Sequence, residues 1–258
     1  MASPMSSSLP AGFLDGPASD ITISRIDFKT PLPEYEGLYA VILDNILSEE
    51  ECNMLVTAAE STTSGKWERA MINIGGGRQK LMEDTRNCGR IIWDSPEIVA
   101  KIWGRIEASV PELQRLENWP KVTGNGPTRR GEVWKLTRCN ERMRFLKYSK
   151  GEYFKPHCDG TYETPDYKER SYFTLHLYLN DATSNPTGEA LKGGATTFHS
   201  YNMKKRLDVE PKIGRILLFQ HAFLFHSGDD VLQGTKFTLR TDIMFAKEKK
   251  DDASSIET

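Results

Sequence analysis

No stretch of this chain stays apolar for the roughly 18 residues that a membrane-spanning helix needs, so a helical membrane span is excluded. The opening residues carry neither a basic segment nor an apolar run behind it, and the first cation is Arg25. Neither a secretory signal nor a mitochondrial transit peptide is therefore expected, and a cytoplasmic protein is. Cysteine is scarce. The four residues Cys52, Cys88, Cys139 and Cys158 show no Cys-x-x-Cys spacing, which speaks against a disulfide framework or a zinc knuckle and for reduced thiols. Charge leans to neither sign: 34 Lys and Arg face 36 Asp and Glu, so no global field draws nucleic acid or an anionic membrane. The short clusters Lys204–Arg206 and Lys247–Lys250 read as solvated loop and tail charge. Gly75, Gly76 and Gly77 lack the Gly-Lys-Ser/Thr ending of a phosphate loop, and a flexible loop, a lid beside a pocket, is expected there instead.

What is present is a chain of 258 residues, long enough to bury a sizeable core. Residues 1–36 are rich in Ser, Pro, Gly and Ala and predict a flexible N-terminal arm. One folded domain is expected over 37–248 and a flexible tail over 249–258. The folded part opens with an apolar run from Leu38 to Leu43. Ser48 followed by Glu51 spells a capping box, with Leu55, Val56 and Ala59 on the buried stripe of the helix behind it. Asp94-Ser95-Pro96 starts a second helix, in which Ile98, Val99, Ile102, Trp103 and Ile106 share one face. From Val133 the pattern turns to short strands, at 144–148, 172–179, 195–198, 215–219 and 236–245. Residues 120–130 and 180–192 read as loops. Helices followed by many short strands predict a β-sandwich with helices against one sheet.

The chemistry concentrates in the second half. His157 and Asp159 stand two residues apart; on an extended strand they point to one face, roughly 6–7 Å apart, able to share a metal ion. Cys158 between them faces away. A second imidazole completes the two-histidine, one-carboxylate set of non-haem Fe(II) oxygenases. His221 and His226 compete for that place. Ten residues after His226 comes Lys236, with Gly228 and Gly234 marking the turn between two apolar strands. Lys236 and Arg240 lie four apart in an apolar strand, where cations call for an anionic partner such as a bound dicarboxylate. Thr174, His176 and Tyr178 alternate with apolar neighbours and form a polar pocket wall. His199 is expected at an exposed strand end.

In these motifs the chain resembles the Fe(II)/2-oxoglutarate-dependent dioxygenases, in their prolyl 4-hydroxylase-like branch. The resemblance spans about residues 38–246 and is densest from Asn140 to Phe245. It implies a mainly β fold with supporting helices around a double-stranded β-helix, the jelly-roll or cupin-like core. It also implies His157, Asp159 and His226 as catalytic iron ligands, with His221 left structural. The co-substrate 2-oxoglutarate would then be bound by Tyr148, Thr174, Tyr178 and either Lys236 or Arg240, with O2 as oxidant. Hydroxylation of a C–H bond is the implied reaction, with desaturation or ring closure as variants. Arg86, Arg90, Trp134, Arg142 and Arg144 could line the pocket mouth and suit a carboxylate-bearing small molecule. A small-molecule substrate is therefore expected ahead of a protein, and neither nucleic acid nor a membrane is expected as a partner. The alternatives are a prolyl hydroxylase acting on a protein, a non-catalytic metal-binding sensor of the same fold, and a zinc or nickel isomerase.

Overall fold

The computed structural model describes residues 9–73, 78–183 and 188–248. Its frame is two facing antiparallel sheets. The strands that build them are β1 (Thr22–Arg25), β2 (Ala40–Asp44), β3 (Arg86–Asn87), β4 (Gly89–Asp94), β5 (Trp134–Cys139), β6 (Arg142–Tyr148), β7 (Tyr153–His157), β8 (Glu169–Tyr178), β9 (Thr196–His199), β10 (Arg206–Val209), β11 (Ile216–Gln220), β12 (His226–Gly228) and β13 (Lys236–Lys247). The larger sheet runs β1-β2-β11-β8-β13-β6-β4, with β5 on the far half of β13; the smaller runs β10-β9-β12-β7-β3. Strands that pair out of chain order across two sheets are the jelly-roll arrangement expected from the sequence.

Alternation along β8 assigns the two faces. Phe173, Leu175 and Leu177 point outward and share one apolar cluster with the helices α1 (Glu49–Thr62) and α2 (Pro96–Ile106). Thr174, His176 and Tyr178 point the other way, to the space between the sheets. Each helix starts as its sequence predicts. Ser48 accepts from the Glu51 N–H while Glu51 accepts from the Ser48 N–H, and Ser95 accepts from the Ile98 N–H with Pro96 in the first turn. The expected apolar stripes of both helices are buried. Among the described residues no helix is long and apolar enough to cross a membrane.

Two expectations change. The segment read as a flexible arm is built into the fold from residue 9: β1 pairs with β2, and Phe13, Leu14, Phe28, Leu32 and Tyr35 are buried. Its polar composition hides five apolar anchors, each too isolated to make a periodic signal. Residues 120–130, read as a loop, hold two short helical turns, Pro120–Thr123 and Asn125–Arg129. The glycine run at 75–77 and the tail over 249–258 lie outside the described residues.

The entry into β11 depends on one glycine. Gly214 has φ +70° and sits so close to the end of β2–α1 that a Cβ would lie 2.0 Å from the Leu47 carbonyl oxygen. Its own carbonyl accepts from the Ile46 N–H at 3.0 Å, so the backbone cannot retreat without losing that bond. Gly214→Ala combines a left-handed backbone with a steric overlap and should cost at least about 2 kcal/mol. A thermal melt should drop by roughly 4–8 °C or more.

Candidate functional site

Between the sheets, His157, Asp159 and His226 bring one donor atom each to within 4.8 Å of one another. His157 ends β7, while Asp159 lies just past it in the chain that leaves the sheet, so the pair does not stand on one continuous strand. Cys158 between them is exposed. His226 opens β12, the neighbour of β7, and faces His157 in register. The Nε2 atoms of His157 and His226 lie 3.6 and 3.9 Å from the Asp159 carboxylate.

Both imidazoles are aimed by the same local device. Nδ1 of His157 meets the Lys155 carbonyl at 2.9 Å, and Nδ1 of His226 meets the Leu224 carbonyl at 2.9 Å. A carbonyl can only accept, so Nδ1 donates in each ring and Nε2 is left turned inward as the atom free to ligate a metal. Burial, joined by the repulsion of His157, brings the His226 pKa down to about 3 and keeps that ring neutral. Burial alone would raise the Asp159 pKa; Arg240 and the two imidazoles outweigh it and hold the carboxyl well below its ordinary range. Two imidazole nitrogens and one carboxylate at a common point fit a divalent first-row cation with open positions left over.

The carboxylate is also held from behind. Thr174 donates to Asp159 Oδ2 at 2.5 Å, and the Arg240 guanidinium lies 3.1 Å from Oδ1. Arg240 further pairs with Asp242 at 3.3 Å. Lys236 is different. Its Nζ is buried, donates to the Gly194 carbonyl at 2.5 Å, lies over the rings of Tyr148 and Tyr178, and has no carboxylate partner among the described residues. Burial lowers its pKa to about 8. The cavity beside these groups measures about 40 Å³.

The other residues singled out in the sequence fall as follows. Tyr148 lines the cavity, as do Thr174 and His176. The Tyr178 hydroxyl donates to Thr196 Oγ1 at 2.7 Å and does not itself reach the cavity. His221 is buried, 3.7 Å from Asp242, and apart from the triad. His199, expected to be exposed, is buried, with Nε2 2.7 Å from the Ser227 hydroxyl. Trp134 packs edge-on against Tyr172, Arg142 pairs with Asp94 at the surface, and Arg90 and Arg144 stand outside as well, so of the five residues expected at the pocket mouth Arg86 lines the cavity. The parts played by Thr174 and Thr196 escaped the sequence because a hydroxyl's partner depends on side chains brought from other strands.

Residues 143–241 match the 2OG-Fe(II) oxygenase superfamily. That stretch contains the triad, Thr174, Lys236 and Arg240. No curated protein matches the chain. Among solved structures, the fold is similar to a prolyl-4-hydroxylase of Pseudomonas putida (TM-score 0.50, 13% identity, 84% of this chain and 97% of that one). It is similar as well to a prolyl hydroxylase of Trichoplax adhaerens in complex with a hypoxia inducible factor oxygen degradation domain peptide fragment (TM-score 0.51, 16% identity, 83% and 87%).

Proposed function

We propose that this chain, a 2OG-Fe(II) oxygenase by the superfamily of residues 143–241, hydroxylates an unactivated C–H bond of a small amino-acid-like or natural-product molecule. The observation that carries the reading is one cavity that combines the His157, Asp159 and His226 donors with a buried cation, Lys236, that no carboxylate among the described residues pairs. With Fe(II), 2-oxoglutarate and O2 bound, such a site couples oxidative decarboxylation, to succinate and CO2, to oxidation of a substrate C–H bond.

The protein's share is to hold and to orient. Asp159 is the anionic ligand, fixed by Thr174 and balanced by Arg240. His157 and His226 offer Nε2. Lys236 takes the far carboxylate of 2-oxoglutarate in place of the Gly194 carbonyl, with the Tyr148 ring beside it. Arg240 is already committed to Asp159 and Asp242, which favours Lys236 over Arg240 as that anchor. The carboxylate at Asp159 also argues against halogenation, which needs that coordination position for halide. The four cysteines form no disulfide and suit the reducing cytoplasm, where we place the protein.

A prolyl residue within a protein is the second reading, favoured by the fold shared with the two hydroxylases above. Succinate release with O2 uptake, screened over small molecules and prolyl peptides, tests both. A product heavier by one oxygen supports hydroxylation, and one lighter by two hydrogens indicates desaturation or ring closure. Metal binding without succinate from any candidate supports a sensor instead.

A further inference from the structure

Beside the triad, the cavity contains a second cation without an anion. Arg86, on β3, is 7% exposed and lines the same cavity. Its guanidinium lies 4.5 Å over the Phe154 ring, which stacks on His157 at 3.7 Å. Among the described residues its Nε has no hydrogen-bond partner, and no carboxylate lies within ion-pair distance of it. Its polar neighbours are the Tyr148 hydroxyl and the Cys88 thiol.

Arg86 also lies near enough to Arg90, on the larger sheet, for the two cations to repel. Arg90 stands opposite Leu146 and Arg144 opposite Arg240, so β4, β6 and β13 turn Arg90, Arg144 and Arg240 to one face of the large sheet. Arg90 is 4% exposed and its Nε is likewise unpaired; its nearest acid, Glu68, is mostly exposed and 4.0 Å away. Arg144 pairs with Asp242, which Arg240 also reaches while pairing with Asp159. Burying like charges side by side is costly unless an anion joins them.

We propose that Arg86, backed by Arg90, binds a free carboxylate on the substrate, making this oxygenase selective for small carboxylic acids over their neutral amides and over capped peptides. The inference rests on the oxygenase reading above and adds the substrate class. Each anion then has its own counter-charge. The near end of 2-oxoglutarate faces the metal and its far end Lys236, which leaves the Arg86 fork for a third carboxylate. A guanidinium matches a planar carboxylate with two parallel N–H···O bonds, a geometry that a neutral amide cannot reproduce. The Phe154 ring lies between the Arg86 guanidinium and the His157 imidazole and holds the fork flat, one ring away from the metal ligand.

The test uses the anaerobic Fe(II)–2-oxoglutarate complex of the full chain, whose visible charge-transfer band reports both co-substrate binding and perturbation by a second ligand. Probes are matched acids and amides: acetate, benzoate, L-proline and L-glutamate against their primary amides, with a capped prolyl tripeptide. In the wild type, at least one acid should perturb the band at concentrations tenfold or more below its amide. Arg86→Gln should bring that ratio below twofold while 2-oxoglutarate affinity stays within twofold, which also shows a folded site. Arg86→Lys, which keeps the charge without the fork, should retain a ratio of about threefold. No acid preference anywhere in the set overturns the proposal, as does a tripeptide that perturbs the band as well as any acid. If Arg86→Gln weakens 2-oxoglutarate tenfold and leaves acid selectivity intact, Arg86 serves the co-substrate and the proposal falls. Failure of the band to form in the wild type overturns the oxygenase reading itself, before any probe is added.

Discussion

Replacing His157 by alanine should lower turnover by on the order of 10³-fold or more, the scale of loss when one member of a set of groups that act together is removed. The change isolates function from folding better than the other two ligand positions. The side chain of His157 is 22% exposed against 7% for His226 and 4% for Asp159. Its loss strips one face of Phe154 but leaves no buried charge without a partner. Asp159 keeps Thr174 and Arg240, so the carboxylate stays ionised and in place. The melting temperature should fall by only a few degrees, corresponding to roughly 1–2 kcal/mol. Fe(II) affinity, measured by anaerobic titration, should fall with the activity. A variant that retained both would remove His157 from the metal site.

Lys236→Met should separate affinity from stability and move them in opposite directions. If Lys236 holds the far carboxylate of 2-oxoglutarate, removing the charge costs on the order of 10²- to 10³-fold in co-substrate affinity, as for a truncated buried charge pair. Without co-substrate the same charge is a burden. Its pKa of about 8 lies below the ordinary lysine value because burial disfavours the ammonium. The cost to folding is therefore fully present below pH 8 and fades as pH rises towards the ordinary value. Lys236→Met should accordingly melt at a higher temperature than the wild type at pH 7, with the difference shrinking by pH 10. In the wild type, 2-oxoglutarate binding should weaken above pH 8 as the ammonium is lost, by about tenfold per pH unit; in Lys236→Met this dependence should be absent. A methionine variant with unchanged co-substrate affinity would transfer the anchoring part to another cation.

The cluster of His157, Asp159 and His226 could be read from the chain because histidine is scarce, at five residues, and the spacing is distinctive. His157 and Asp159 lie in a short segment bounded by Pro156 and Gly160, and His226 has a cation ten residues on. The five strands at 144–148, 172–179, 195–198, 215–219 and 236–245 and both helix starts were equally plain, since alternation and capping are local properties; the shorter strands carry too few residues to show a period. Placement of polar partners was not. Thr174 and Tyr178 looked equivalent on one face of β8, yet one reaches Asp159 and the other Thr196, because the smaller sheet offers a different neighbour at each position. His199 looked exposed because nothing in its own strand shows that Ser227 and Tyr35 cover it. Arg240 looked like a rival to Lys236 until Asp242, two residues on, and Asp159, far back in the chain, were seen to occupy it. The N-terminal segment misled for a compositional reason: Ser, Pro and Gly dominate its count, while Phe28, Leu32 and Tyr35 supply its burial.

The most direct test of the central claim, that two imidazoles and one carboxylate form a ferrous site next to a diacid-binding lysine, is an anaerobic titration of the purified chain with Fe(II) in the presence of 2-oxoglutarate. A visible charge-transfer band that saturates at one iron per chain, and is lost in both His157→Ala and Lys236→Met at limiting co-substrate, is the predicted result. A wild-type protein that develops no such band at saturating Fe(II) and 2-oxoglutarate would contradict it.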